Sequence, residues 1–276
     1  MSNSRVSCHG SAGGGAAVPA AVTVSIVSHR HAEDIQRLLA DMAAFADREI
    51  AEVILTLNLP DELLSGWIEA HDWPFRLTLI RNDRPQGYGA NHNQAFLRCD
   101  TPCFCVLNPD IRFTRDPFPA LLEVLRQPGT GCVYPLQYQQ CSSPMDLARE
   151  VPTPIALLKR YLLPGYRGRP QPRQWVNGSF MLFSSGIFRQ LDGFDSGYFM
   201  YCEDVDICLR MRQAGARLLC VPAAEVQHLA ARASHRRLRH LWWHIGSLWR
   251  LWHSPAYLQA VRPTTIVASE ARGVPH

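Results

Sequence analysis

The feature that most restricts the fold is a regular exchange of short apolar runs and amphipathic segments over the first hundred residues. AVTVSIVS (21–28) is β-branched and ends on the polar His29-Arg30-His31. HAEDIQRLLADMAAFA follows, with Ile35, Leu38, Leu39, Met42 and Phe45 at helical spacing. EVILTLN (52–58), LPDELLSGWIEA (59–70), FRLTLIRN (75–82), GYGANHNQAFLRC (87–99) and PCFCVLN (102–108) continue the alternation. PCFCVLN is apolar throughout, as in a sheet covered on both faces. The pattern predicts an α/β fold, a mostly parallel sheet flanked by helices. Such sheets bind ligands beyond the carboxyl ends of their strands, which points to Ser28 to His31, Asn58, Asn82 and Asn108-Pro109-Asp110.

The second half is less periodic. Residues 128–172 are rich in proline and glycine, with one apolar helical piece, PIALLKRYLLPG (154–165), that reads as a lid or acceptor-side loop. WVNGSFMLFSSGIFRQL returns to strand then helix, YFMYCEDVDICLRMRQAG (198–215) starts an acidic helix, and ARLLCVP is another strand. After AAEVQH comes a basic, tryptophan-rich helix from about Ser234 to His253. The organisation expected is a tail over 1–20, one domain over 21–230 and a C-terminal helical appendage with its tail over 231–276.

With 276 residues, 47% of them hydrophobic, the chain can bury a large core, and a net charge of +4 is too mild to indicate a nucleic-acid partner. None of the nine cysteines forms a C-x-x-C pair, which fits buried thiols in a reducing cytosol and argues against zinc. HLWWH (240–244) has metalloprotease spacing without the glutamate that serves as base. The first nineteen residues lack the apolar core of a secretory signal, and no run of eighteen uncharged apolar residues is present to span a membrane.

Three acids stand where the aromatic run 198–201 meets a helix start. Carboxylates there are favoured by the free backbone N–H groups and the helix dipole, and Asp206 has Arg210 one helical step away. Glu203 and Asp204 are harder to explain, because a carboxylate at the edge of a packed wall is costly. A strand-end aspartate (Asp110), a histidine after a later strand (His228) and this acid pair can converge on one cleft. Oxygen and imidazole donors of that kind suit Mn²⁺ or Mg²⁺ held mostly by a diphosphate.

In order along the chain, VSIVSHR, GYGANHN, FCVLNPDIRF, WVNGSFMLF, LDGFDSGYFMYCEDVDICLR and VQH resemble the inverting glycosyltransferases of family 2, most closely their rhamnosyltransferase-like branch. The resemblance runs from about Val22 to His228. It implies a GT-A fold, Rossmann-like, in which a nucleotide-binding half continues into an acceptor-binding half. It implies transfer of a sugar, rhamnose for example, from a dTDP- or UDP-sugar to a hydroxyl of a cell-surface glycan or lipid-linked acceptor. Asp110 takes the place of the family's metal-binding aspartate, His228 completes the metal site, and Asp204, with Glu203 beside it, takes the place of the base. An inverting transfer needs a carboxylate on the sugar face opposite the leaving diphosphate.

Asn108 stands where the wider family has a first aspartate, and Asn58 where it often has an acidic nucleotide contact. Gly87 and Gly89 are expected to let the backbone approach the donor, with Ser28, His29, Asn91, Asn93 and Asn108 as further donor contacts. Trp175, Asn177 and Gly178 fall where the resemblance puts the acceptor and donor-sugar wall. The helix near the C-terminus carries Trp242, Trp243, Trp249 and Trp252 and reads either as a cover over the acceptor cleft or as a peripheral membrane contact at the inner face of the plasma membrane. The other classes weighed are a non-catalytic nucleotide-sugar or glycan binder and a sugar-phosphate nucleotidyltransferase. The latter would need a glycine-rich basic loop after the first strand, and VSIVSHRHAED has no glycine.

Overall fold

The computed structural model describes residues 21–139, 147–163, 174–229 and 237–261. The chain starts with β1 (Val22–Ser28), α1 (Ala32–Phe45), β2 (Ile50–Leu57), α2 (Glu62–Glu69), β3 (Arg76–Arg81), α3 (Tyr88–Phe96) and β4 (Cys103–Leu107), the expected alternation. It continues with β5 (Ile111–Arg112), α4 (Phe118–Leu125), β6 (Thr130–Tyr138), β7 (Ala148–Arg149), α5 (Pro154–Leu162), β8 (Trp175–Val176) and β9 (Phe180–Ser184). The last elements are α6 (Ser185–Gln190), α7 (Glu203–Gln213), β10 (Arg217–His228), α8 (Arg237–His253) and α9 (Pro255–Ala260).

Eight strands form one sheet in the order β3-β2-β1-β4-β9-β6-β10-β5. β3, β2, β1 and β4 are mutually parallel, as are β6 and β10, while β9 runs antiparallel to β4 and β6, and β5 to β10. This is the mixed, mostly parallel α/β sheet that the alternation implied. β4 shows why its residues are apolar without a break: Cys105 and Leu107 enter the core beneath α1, α2 and α4, while Phe104 and Val106 enter the core with α6 and α7. A third cluster joins α7 to the C-terminal helices through Val205, Leu209, Leu248, Leu251 and Tyr257.

Two elements differ from the sequence expectation. Residues 130–138, inside the stretch read as irregular, form a nine-residue strand in the sheet interior. TGCVYPLQY carries a proline, yet Pro135 pairs with Val221 just before β10 shifts register, a place where a ladder tolerates a missing N–H. ARLLCVP and AAEVQH likewise form one strand, β10, whose last residue is His228. The tail over 1–20 and the start of the C-terminal helix at 234–236 lie outside the described residues.

β5 is short but firmly placed. The buried Asp41 of α1 accepts from Arg112 Nη2 at 2.7 Å and from the Phe113 amide at 3.0 Å. β5 then pairs Ile111 with His228 and Arg112 with Gln227, and the Leu229 amide donates to the Asp110 carbonyl at 3.0 Å. Residues 110 and 228, more than a hundred positions apart, are neighbours because of this pairing.

Candidate active site

At the carboxyl ends of β1, β2 and β4 lies a cavity of about 760 Å³. Among the residues that line it are His29, Asn58, Asn108, Asp110, Asn177, Gly178, Glu203, Asp204 and His228, nine of the residues expected at a site.

Asp110 and His228 face each other, with Oδ2 3.2 Å from Nε2. His228 Nδ1 is buried without a hydrogen-bond partner. Among the described residues no group of three or more His, Cys, Asp or Glu side chains is arranged to hold a metal ion. The pair nevertheless fits a divalent cation: adjacent ligands of an octahedral ion at about 2.1 Å sit ~3 Å apart, close to the observed separation. The chain offers one oxygen and one nitrogen, so a cation there would draw its other ligands from a phosphate-bearing substrate and water.

Glu203 and Asp204 occupy the first two positions of α7. The preceding Tyr201 and Cys202 have φ of 74° and 67°, two consecutive left-handed residues without a glycine, a conformation of order 1–3 kcal/mol each that is held only when its surroundings enforce it. They are enforced from several sides. Arg210 donates to the carbonyls of Leu191 and Gly193 as well as to Asp206, so it does more than the simple ion pair its spacing suggested. Asn93 grips Phe194 through both backbone groups, at 2.7 and 2.8 Å. Arg250 of α8 forms a two-point pair with Asp195, and Ser247 Oγ donates to the Met200 carbonyl at 2.8 Å.

Asp204 Oδ2 accepts from the Gly178 amide at 3.2 Å and Oδ1 from the Val205 amide at 2.8 Å. Burial raises its pKa to about 6 against these two hydrogen bonds, so desolvation outweighs the amides and the helix start. Glu203 is pushed further, to about 8, by burial and by the Asp204 charge. Both carboxyls are thus pushed towards the neutral form, Glu203 more strongly, so that Asp204 is the acid of the pair that ionises first.

Other expected site residues are used inside the fold. Asn58 lines the cavity, but its amide is occupied by both backbone groups of Gln86, at 2.8 and 3.0 Å, and by Asn82. Asn91 is fully buried, bonded to Asn82 and to the carbonyls of Gln86 and Gly87. Ser28 accepts from the His31 amide at 3.3 Å. Trp175 donates to the Glu150 carbonyl and packs between two hydrophobic clusters. Ser28, Gly87, Asn91, Asn93 and Trp175 are not brought to the cavity wall.

The glycines of GYG serve a close approach of protein to protein. A Cβ on Gly87 would lie 2.7 Å from the Tyr198 carbonyl, and one on Gly89 would lie 2.6 Å from Phe194 Cβ. Between them stands Tyr88, whose hydroxyl lies 2.8 Å from the Gly178 carbonyl and 2.9 Å from Asn108 Oδ1. Sequence reading passed over it, because a tyrosine at a helix start has no motif of its own. Gln137 and Ser179, a buried pair that orients Asn177 through a 2.8 Å bond, gave no signal either.

α8 covers one mouth of the cavity. His240 and Trp243 line it, Trp243 packs on Phe199 with ring centroids 4.8 Å apart, and Tyr201 Oη is 2.8 Å from His240 Nδ1. The opposite face bears Leu241, Trp242, Ile245 and Trp249, each at least half exposed.

Comparison with known proteins bears on the family and the fold. Residues 23–192 match the model of the family described as Glycosyl transferase family 2. The chain is 30% identical over 251 residues to the rhamnosyltransferase WbbL of Escherichia coli K12, covering 83% of this chain and 91% of that protein. It is 25% identical over 240 residues to the N-acetylglucosaminyl-diphospho-decaprenol L-rhamnosyltransferase of Mycobacterium tuberculosis, with 77% of each chain covered. Among solved structures, the mannosyltransferase PcManGT of Pyrobaculum calidifontis in complex with GDP-Man and Mn²⁺ superposes with a TM-score of 0.61 at 16% identity, over 88% of this chain and 68% of that one. That likeness concerns the fold.

Proposed function

The chain belongs to glycosyl transferase family 2, with the GT-A fold of that family, and from this premise we propose that it transfers rhamnose, with inversion, from a dTDP- or UDP-linked donor to a hydroxyl of a lipid-linked or cell-surface glycan acceptor. The observation that carries the proposal is the Asp204 carboxylate, held by two backbone amides in the same cavity as the Asp110–His228 pair.

In this reading the donor diphosphate lies against Asp110 and His228, and Asp204 lies on the acceptor side. Asp110 and His228 would hold a divalent cation, Mn²⁺ or Mg²⁺, which when bound neutralises charge on the leaving diphosphate. Asp204 takes the proton from the acceptor hydroxyl as that oxygen attacks the anomeric carbon, and the nucleoside diphosphate departs from the opposite face. Glu203, carrying its own proton, keeps a second negative charge out of the pair. His29, Asn108, Asn177 and Gly178 line the cavity and in this reading supply donor and acceptor contacts.

The surface suits an acceptor presented by a membrane. Besides the outer face of α8, α5 exposes Ile155, Leu158 and Leu162, and Trp252 Nε1 donates to the Pro152 carbonyl, which ties the end of α8 to the residues leading into α5. Every charged residue from 153 to 175 and from 226 to 253 is Lys or Arg. Among the described residues no helix is long and apolar enough to cross a membrane. The exposed apolar residues of α5 and α8, together with the basic sequence around them, support peripheral attachment to anionic lipid at the inner face of the plasma membrane.

The test is Asp204→Asn, assayed with dTDP-rhamnose and a lipid-linked saccharide. Turnover is expected to fall by about a thousandfold or more, while the affinity for dTDP with Mn²⁺ stays within about threefold. Turnover at the parent rate would remove Asp204 from the chemistry.

A further inference from the structure

We propose that Tyr88 is a positioning residue, whose hydroxyl fastens the donor-side strand end at Asn108 to the Gly178 segment that holds the base. The proposal rests on the assignment of Asp204 as that base.

The phenol has one proton and two oxygen neighbours, the Gly178 carbonyl at 2.8 Å and Asn108 Oδ1 at 2.9 Å. The proton is shared between them in a three-centre arrangement. Each neighbour leads to one half of the reaction. Asn108 lies two residues before Asp110, and its amide donates to the Ser179 carbonyl at 2.8 Å. Gly178 donates its own amide to Asp204.

The packing leaves the hydroxyl little freedom. Tyr88 is anchored at the first position of α3, with its amide on the Phe199 carbonyl at 2.9 Å and its ring edge-on to His92 at 4.4 Å. A Cβ on Gly178 would sit 3.4 Å from Tyr88 Cε1 and 3.7 Å from Asp204 Cβ, so the glycine backbone is held between the two side chains. Burial and the charges of Glu203, Asp204 and Asp110 hold the Tyr88 pKa well above the usual phenol value. The hydroxyl is therefore a permanent donor across the working pH range.

The consequence concerns the base. The Gly178 amide lowers the Asp204 pKa, whereas burial raises it. The other groups facing Asp204 are Glu203 on its own helix, Arg149 from β7, and the neutral Cys202 and Cys208. If the Gly178 segment relaxes, Asp204 loses part of that hydrogen bond and binds its proton more tightly. The acid limb of the rate profile then moves to higher pH.

Tyr88→Phe removes the hydroxyl and keeps the ring. With dTDP-rhamnose and a lipid-linked saccharide, kcat is expected to fall by about 10–100-fold and the acid limb of kcat to move up by about half a pH unit or more. The Kd for dTDP with Mn²⁺ is expected to change less than threefold. A purely structural tyrosine would lower the melting temperature without moving the limb. If Tyr88→Phe does not fold, 3-fluorotyrosine at position 88 keeps the ring and strengthens the donor, and the limb is expected to move down. Parent kcat and an unmoved limb in Tyr88→Phe, or an unmoved limb in the fluorinated protein, overturns the proposal. Asp204→Asn in the same assay separates the two levels. An active Asp204→Asn refutes the base assignment, whereas an inactive Asp204→Asn beside a fully active Tyr88→Phe refutes only the role of Tyr88.

Discussion

Glu203→Gln isolates the electrostatics of the acid pair from the chemistry. Glu203 is 6% exposed, its Oε2 is buried without a hydrogen-bond partner, and its pKa is raised from 4.5 to about 8 by burial and by Asp204. The unfolded chain releases this proton near pH 4.5 and the folded protein keeps it to about pH 8. Between those values the folded state binds more protons, so its stability falls as pH rises. One proton corresponds to ~1.4 kcal/mol per pH unit. Between pH 6.5 and 8 Glu203 passes from almost fully protonated to half ionised, which corresponds to a loss of about 1.5 kcal/mol.

The lower end of that window is set by His92. It is buried neutral, with burial lowering its pKa to about 3, so it makes stability rise with pH only up to the ordinary histidine range. Asp116, raised to about 7 by burial and its hydrogen bond to Glu49, has the same sign as Glu203, but it is common to both proteins and cancels in the difference. Urea unfolding followed by tryptophan fluorescence at pH 6.5, 7, 7.5 and 8 is the assay. The parent is expected to lose about 1.5 kcal/mol more than Glu203→Gln across the series. Parallel curves would mean that Glu203 is not protonated in the folded state, and the argument for a single ionised acid at Asp204 would fail with it.

Two further outcomes follow from the packing. Asp41→Asn leaves Arg112 without its carboxylate and weakens the hold on Phe113, so it is expected to cost about 2–4 kcal/mol in urea unfolding, although Asp41 is far from the chemistry in sequence. A loss under 1 kcal/mol would show that β5, and with it the Asp110–His228 contact, is held by other means. Trp242→Ser with Trp249→Ser removes exposed surface only, and is expected to lower co-flotation with phosphatidylglycerol-containing vesicles by about tenfold or more while leaving the melting temperature unchanged. Undiminished flotation would remove the α8 face as the lipid contact.

The fold was legible where local pattern and global position agree. β1, β2 and β4 are buried on both sides and read as short β-branched or apolar runs, and the helices between the strands show their stripe directly. β6 was not legible, because a proline and two glycines near it outweigh an apolar run when the neighbouring strands are unknown. The cavity wall was legible at Asp110, Asp204 and His228, which the structure brings together and where side-chain type and position after a strand or before a helix both carry meaning. It was not legible in GYGANHN, where the same residues that permit contact with a ligand also permit contact with another part of the chain.

GYGANHN and LDGFDSGYFMYCED, read as separate motifs, are two sides of one joint. Gly87 and Gly89 lack side chains because the segment 194–199 lies against them, Asn93 is polar because it closes on Phe194, and the Tyr88 amide meets Phe199. α8 presses the same segment from the other side through Ser247, Trp243 and Arg250. Two consecutive left-handed residues, Tyr201 and Cys202, end it and turn the chain so that α7 begins with its acids in the cavity. The strain of that turn, of order a few kcal/mol, is sustainable only because the joint leaves the segment no relaxed alternative. On the proposed assignment of Asp204 as the base, a carboxylate fixed in this way needs little reorganisation when an acceptor arrives, which is the condition under which a buried carboxylate with a pKa near 6 serves at neutral pH.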